Sequence, residues 1–172
     1  PCVLKVDAAS VVHKSDAGGV ALGLRDLPAA AEALAKMKAR FPAPEASFLL
    51  MEQKQPGREV IVGAKAAPGL GSLVLFGLGG ILVEVMKDVT VAVAPLSRPE
   101  AREMLRGIKG YPVLEGVRGQ AGVDLAALED ALLRVARLVA DFPAISELDL
   151  NPVFAYPAGT LPSAVDVRMR VL

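Results

Sequence analysis

The sequence has no tryptophan, and only two tyrosines and five phenylalanines among its 172 residues. A core must therefore be assembled from Ala, Val and Leu rather than from rings. There is a single cysteine, Cys2, which excludes an internal disulfide and fits a reducing compartment such as the cytoplasm. Net charge is also missing: 19 Lys and Arg balance 19 Asp and Glu, which removes the electrostatic case for nucleic acid or an anionic membrane surface as partner. The longest apolar stretch, Leu73 to Met86, is interrupted by glycines and Glu84 and falls short of the roughly 20 residues a spanning helix needs. No secretion signal opens the chain, because Lys5 and Asp7 break up its apolar start. The chain begins at Pro1 inside what reads as a strand, the expected mark of a piece of a longer polypeptide.

What is present is 53% hydrophobic, enough for one domain or for two small lobes. Cys2 to Val6 and Val20 to Leu24 read as strands around a polar, small-residue loop that ends in Gly18-Gly19. Asp26 is a good N-cap with Pro28 in the first turn, and a helix runs on to Arg40, where Phe41, Pro42 and Pro44 end it. Ser47 to Gln53 and Glu59 to Lys65 read as strands joined by a turn at Pro56-Gly57. Leu73 to Phe76, Ile81 to Met86 and Val89 to Val93 are further β-rich segments, divided by a break from Gly77 to Gly80. Ser97 with Glu100 forms a capping box that starts a helix to about Ile108. Tyr111 to Val123 reads as loop. Asp124 caps a helix over Leu125 to Asp141, with Leu128, Leu132, Val135 and Val139 as its apolar stripe. Ile145 to Phe154 and Ser163 to Val171 complete the pattern as two strands. Strand runs with a few helices make the fold class α+β, without the regular alternation of a doubly wound sheet.

Three places carry chemistry. Along the strand after Ile145, alternation puts Glu147, Asp149 and Asn151 on one face and Leu148 and Leu150 toward the core. If the next strand folds back near Ala158, Asp166 falls roughly opposite Leu150, within reach of Asp149 and Asn151. Carboxylates with an amide oxygen suit Mg²⁺ and nucleotide phosphates, and a solvated polar face is the plainer alternative. Near the start, Lys5 precedes His13, Lys14, Ser15, Asp16, Gly18 and Gly19. Backbone N–H groups of a glycine loop approach phosphates and an ammonium neutralises them, although the Walker A spacing is absent and a surface role serves as well. Phe76 to Glu84 is glycine-rich, but its spacing and its β-rich continuation exclude a dinucleotide fingerprint. No G-x-S-x-G occurs and nothing pairs Ser, His and Asp as a triad.

Taken in order, several strings resemble the ATP-grasp portion of ADP-forming acetyl-CoA and acyl-CoA synthetases, relatives of the succinyl-CoA synthetase β chain. They are Val3-Leu4-Lys5-Val6, His13 to Val20, Arg58 to Gly63, Phe76 to Glu84, Leu114 to Gly119 and Glu147 to Val153. The resemblance implies an ATP-grasp fold of two β-rich lobes with flanking helices, in a truncated fragment. Residues 1–53 would be part of the N-terminal lobe and residues 54–172 the C-terminal lobe. It implies ATP or ADP and Mg²⁺ as cofactors. Lys5 would contact phosphate, the Gly18-Gly19 loop would cover phosphates, and Met51 and Glu52 would form the hinge against adenine. Glu59 belongs to the same nucleotide-binding set. Asn151 and Asp166 match the family's Mg²⁺ ligands, with Asp149 beside them, and His13 matches a second phosphohistidine carrier. The implied reaction is acyl-CoA + ADP + Pi ⇌ acid + CoA + ATP.

The implied partners are CoA-binding and CoA-ligase domains or a subunit of the same synthetase, without which this chain alone is not expected to make acyl-CoA. Apolar surface exposed on a fragment also allows a homo-oligomer. One departure stands out: Ala67 to Ser72 replaces the family's Asp-Pro-x-Phe-Gly-Pro run. That motivates a second reading, a degenerate ATP-grasp module with a regulatory or assembly role, for example attached to a protein acetyltransferase. A plain interaction scaffold is the third.

Overall fold

The computed structural model describes residues 1–8, 17–42, 44, 46–80 and 87–172. They divide into two compact units, Pro1–Gln55 and Pro56–Leu172, and each encloses its own apolar cluster.

In the first unit, strands β1 (Cys2–Asp7), β2 (Val20–Leu24) and β3 (Ser47–Glu52) form an antiparallel sheet in the order β2-β1-β3. Helix α1 (Leu27–Arg40) starts where sequence chemistry dictates: the Asp26 side chain accepts a 2.8 Å bond from Ala29 N–H, and Pro28 lies in the first turn. It ends where Phe41 N–H donates to the Met37 carbonyl at 2.9 Å and Pro42 forbids continuation. Leu4 and Val6 of β1 pack with Met37 of α1, so α1 covers one face of this sheet.

The second unit is a larger antiparallel sheet carrying helices on one face. Its strands are β4 (Arg58–Ala67), β5 (Gly71–Leu78), β6 (Val89–Val93), β7 (Ile145–Ala155), β8 (Ser163–Ala164) and β9 (Val167–Val171). They lie in the order β6-β5-β4-β7, with β8 and β9 both paired to β7. Helices α2 (Arg98–Gly107), α3 (Tyr111–Glu115) and α4 (Leu125–Asp141) complete it. Val60, Val62, Ala64, Val74, Phe76 and Leu148 point to the helix side and meet Leu105, Leu128, Leu132 and Val139. Those strand positions follow the two-residue period and the α4 positions the helical one, so the two patterns interlock. A buried carboxylate ties the helices together. Glu129 of α4 takes two bonds from Arg102 of α2, at 2.8 and 3.2 Å.

The Ser97 capping box is complete: its hydroxyl accepts from Glu100 N–H, and the Glu100 carboxylate accepts from Ser97 N–H at 2.7 Å. Ser97→Ala is expected to cost about 1 kcal/mol in urea unfolding. An unchanged midpoint would mean that α2 is held by packing alone.

Three expectations are corrected. Pro56-Gly57 does not close a hairpin; it hands the chain from one sheet to the other, because among the described residues β3 pairs with β1 while β4 pairs with β5 and β7. A turn signal is the same whether the chain returns or moves on. Within 111–123, five residues form α3, bracketed by Gly110 and Gly116 with Pro112 in its first turn and Leu114 fully buried. The Asp88 carboxylate steadies its approach by accepting from Lys109 and Gly110 N–H, each at 2.7 Å. The last strand is broken at Val165-Asp166 into β8 and β9. In addition, β5 runs through Gly77 to Leu78, so the glycine break starts only at Gly79. Residues 81–86 lie outside the described residues.

Candidate functional site

In the first unit the pairing of β1 brings Lys5 opposite Val20 and Leu49, and Val6 N–H donates to the Gly19 carbonyl at 2.9 Å. The end of the glycine loop is thereby held against the strand that carries Lys5. Lys5 and Met51 lie on the sheet face opposite α1, Met51 through its pairing with Val3. Glu52 pairs with Cys2 on the other face, where its carboxylate meets Lys54 Nζ at 2.6 Å. The Lys54 hydrogen bond and charge hold that exposed carboxyl below its ordinary value. Met51 and Glu52, expected together at a hinge, are thus adjacent in sequence but divided between faces. His13 lies outside the described residues. Arg40 went unnoticed in the sequence. A Cβ at Gly18 would sit 2.9 Å from the Arg40 guanidinium carbon, so this cation lies against Gly18. A basic residue in the last turn of α1 gives no signal of which loop it reaches.

An apolar groove of about 440 Å³ also lies in this unit, lined by Leu4, Leu27, Ala30, Leu34, Phe48 and Leu50 among others. It is on the helix side of the sheet, and its described lining includes neither Lys5 nor Gly18 and Gly19.

In the second unit the acidic residues sit on the face away from the helices. Leu148 is buried, which turns Glu147 and Asp149 to the opposite face. β7 then carries one extra residue: Val60 pairs with Val153 but Val62 with Leu150, so Asn151 and Pro152 together face Ile61. Asn151 N–H donates to the Asp166 carbonyl at 3.2 Å, which puts Asp166 opposite Asn151 rather than Leu150. Asp149, Asn151 and Asp166 are therefore neighbours on one sheet face. Glu59, Ile61, Gly63 and Lys65 of β4 share that face, and Gly79 N–H donates to the Glu59 carbonyl at 2.7 Å.

Two arginines alternate with the acids. Arg168 pairs with Asp149 and Arg170 with Glu147, the latter as an ion pair at 3.9 Å. The i, i+2 spacing of Asp166, Arg168 and Arg170 signals a shared face, but not which residues of the neighbouring strand stand opposite them. Burial raises the Asp149 carboxyl above its ordinary value; Arg168 opposes this, and the charges of Asp166 and Glu147 add to it. A carboxylate crowded by like charges gains from a nearby cation. Among the described residues, no three histidine, cysteine, aspartate or glutamate side chains converge as a metal site. Two carboxylates and an amide suit a hard ion that keeps waters and takes further oxygens from phosphate, so the donor set fits Mg²⁺ better than zinc. No helix among the described residues is long and apolar enough to cross a membrane.

Comparison with known proteins gives a consistent result. Residues 1–171 match the family described as ATP-grasp domain. The chain is 42% identical over 174 residues to the acetate–CoA ligase [ADP-forming] I subunit beta of Pyrococcus furiosus, covering 98% of this chain and 74% of that one. It is 44% identical over 173 residues to acetate–CoA ligase [ADP-forming] I of Archaeoglobus fulgidus, covering 98% of this chain but 25% of that protein. A dinucleotide forming acetyl-coenzyme A synthetase 1 from Ca. Korarchaeum cryptofilum, solved with coenzyme A and Ca-AMPCP, superposes with a TM-score of 0.92 at 40% identity. That match covers all of this chain and 76% of the solved one. A second structure of that synthetase holds Mg-AMPPCP, with a phosphohistidine segment pointing towards the nucleotide-binding site, at a TM-score of 0.87 and 40% identity over 100% of this chain and 76% of that one. The chain thus spans about three quarters of the Pyrococcus β subunit and a quarter of the single-chain Archaeoglobus ligase. It is a member of the ATP-grasp domain family, in the branch that includes the β subunits of ADP-forming acetate–CoA ligases.

Proposed function

We propose that this chain is the nucleotide-binding, phosphoryl-transfer part of an ADP-forming acid–CoA ligase, which works with CoA-binding and CoA-ligase domains or a subunit to run acyl-CoA + ADP + Pi ⇌ acid + CoA + ATP. The observation that carries this reading is the shared face of Asp149, Asn151 and Asp166, an oxygen donor set beside Arg168 in a chain of this family.

In this assignment Asp149, Asn151 and Asp166 hold Mg²⁺, which when bound neutralises phosphate charge. Lys5 and the Gly18-Gly19 loop contact the phosphates, with Arg40 as an added cation beside that loop. Met51 serves the adenine side, and Glu52 and Glu59 belong to the nucleotide's surroundings. His13 accepts a phosphoryl group from the histidine of the partner segment, whose P–N bond breaks as the new one forms. The β-phosphate oxygen of ADP then takes it, giving ATP and restoring the neutral imidazole. The residues 1–53 and 54–172 would be the two lobes. Ala67 to Ser72 forms the tip of the β4–β5 hairpin, where Leu70 N–H bonds the Ala67 carbonyl at 3.0 Å. That tip lies well along β4 from Glu59, so its divergence leaves the acidic face intact.

Calorimetric titration with MgADP, with and without EDTA, checks the assignment. Binding is expected to need the metal, and Asp166→Ala should weaken it by about tenfold or more. Metal-independent binding that ignores Asp166 would favour the degenerate, regulatory reading instead.

A further inference from the structure

Strand register arranges the helix-free face of the larger sheet in rows. One row, from β6 to β9, reads Val91, Leu75, Gly63, Asp149, Arg168. The next reads Val93, Leu73, Lys65, Glu147, Arg170. Both rows are apolar on the β6 side and charged on the β9 side, and the change falls at β4. There the first row has no side chain at all. Adjacent strands lie about 4.8 Å apart, so Gly63 leaves a bare place flanked at that distance by Leu75 and Asp149.

The fold does not ask for glycine at this position. A Cβ there would lie 3.4 Å from the Leu148 carbonyl oxygen and 4.0 Å from Leu75 Cβ, both ordinary contacts. Its φ is not in the left-handed region, unlike those of Gly69 and Gly71 nearby. Gly77 and Gly79 differ again: a Cβ on either would fall 2.8 Å from Val89 Cγ1 or 2.7 Å from Glu59 Cβ, so packing itself requires them. In the interior of a paired strand glycine weakens the sheet, and a β-branched residue would serve the fold better. Gly63 is itself neither bulged nor at a bend, and the remaining reason for a glycine within a strand is close approach of a ligand or of another backbone.

We propose that Gly63 provides the steric clearance of the nucleotide site, with the nucleotide lying across the strands over it. Its base faces Leu75 and Val91, and its phosphates face Asp149, Arg168 and the Asn151–Asp166 pair. A planar, weakly polar base joined to a metal-bound polyphosphate matches a surface that turns from apolar to charged across one bare strand. The inference rests on the nucleotide-binding reading above, and the test separates the two.

MgADP affinity is measured by calorimetry for the parent, Asp166→Ala, Gly63→Ala and Gly63→Val, with urea midpoints followed by far-UV circular dichroism. The expected result is a graded loss, slight for Gly63→Ala and about tenfold or more for Gly63→Val, with midpoints equal to or above the parent's. Parent-like affinity in Gly63→Val overturns this inference while Asp166-dependent binding by the parent keeps the functional reading. A clearly lowered urea midpoint in Gly63→Val also overturns it, because the fold would then require the glycine. A parent that binds no MgADP overturns the functional reading and this inference with it.

Discussion

Alanine at position 76 is expected to destabilise the Pro56–Leu172 unit by about 3–5 kcal/mol. Phe76 is the largest of the fully buried side chains among the described residues, with no exposed surface. It lies on the helix side of β5, paired with Val62 on one neighbour and Thr90 on the other. The core around it is built of Val, Leu and Ala held by paired strands, so little can move in to fill the space. The Thr90 hydroxyl donates to the Met104 carbonyl at 2.8 Å, which pins β6 to α2 at the edge of the same cluster and limits collapse further. Urea unfolding followed by far-UV circular dichroism is the suitable measurement, since the chain has no tryptophan to report by fluorescence. A loss under about 1 kcal/mol would mean that the site repacks, and that the sheet and helices are not held at the spacing described.

The second large effect concerns Arg102. The Glu129 side chain is only 6% exposed, while Arg102 and Arg98 are each half exposed. The hydrogen bond from Arg102 holds the Glu129 carboxyl below its ordinary value; burial opposes this, and Arg98 helps from 3.5 Å. Arg102→Met keeps much of the apolar stem but leaves a buried carboxylate with the longer contact alone. The expected cost is about 1.5–3 kcal/mol at pH 7, the range for hydrogen bonds to a charged group. The sign with pH follows from the direction of the shift. A depressed folded-state value stabilises fully above the unfolded carboxyl's value of about 4.3, and this contribution is lost as pH falls through the folded value. The gap between parent and variant should therefore be widest at about pH 7 and narrower at about pH 3, as the carboxyl takes up its proton. Urea midpoints at the two pH values provide the check. A gap that persists unchanged in acid would assign the loss to packing of the arginine stem rather than to the ion pair.

The parts of this fold that were legible in the sequence are those written in local chemistry. Asp26, Ser97 with Glu100, and Asp124 each cap the helix that follows, and each cap bond is present. The stripe Leu128, Leu132, Val135 and Val139 is buried as its spacing requires. The parts that were not legible depend on which strand pairs with which. Nothing local at Pro56-Gly57 says that the chain leaves one sheet for another. Three glycines in 116–122 hide α3, yet the glycines are there because the loop folds tightly back on it: a Cβ at Gly116 would fall 2.6 Å from the Gln120 carbonyl oxygen. The same holds for the acidic face. Alternation in β7 orients Glu147 and Asp149, but only the register with β9 reveals that Arg168 and Arg170 stand opposite them. Asp166 comes to Asn151 through the break at Val165-Asp166, which a continuous strand reading misses by one residue.

The additional residue in β7 has a consequence for how this segment tolerates change. Before it, even-numbered side chains such as Leu148 face the core; after it, odd-numbered ones do, as Val153 and Ala155 are buried. The strand is thus two phrases out of step with each other, joined at Asn151-Pro152. Deleting one residue at the joint would bring the two phrases into step, because Leu150, a single residue opposite Ile61, and Val153 then alternate as an ordinary strand with Leu148, Val153 and Ala155 all still facing the core. What such a deletion removes is the Asn151 position beside Asp149 and the Asp166 carbonyl. A residue lost anywhere else along the strand has the opposite effect, turning half of its side chains to the wrong face while the joint stays out of step.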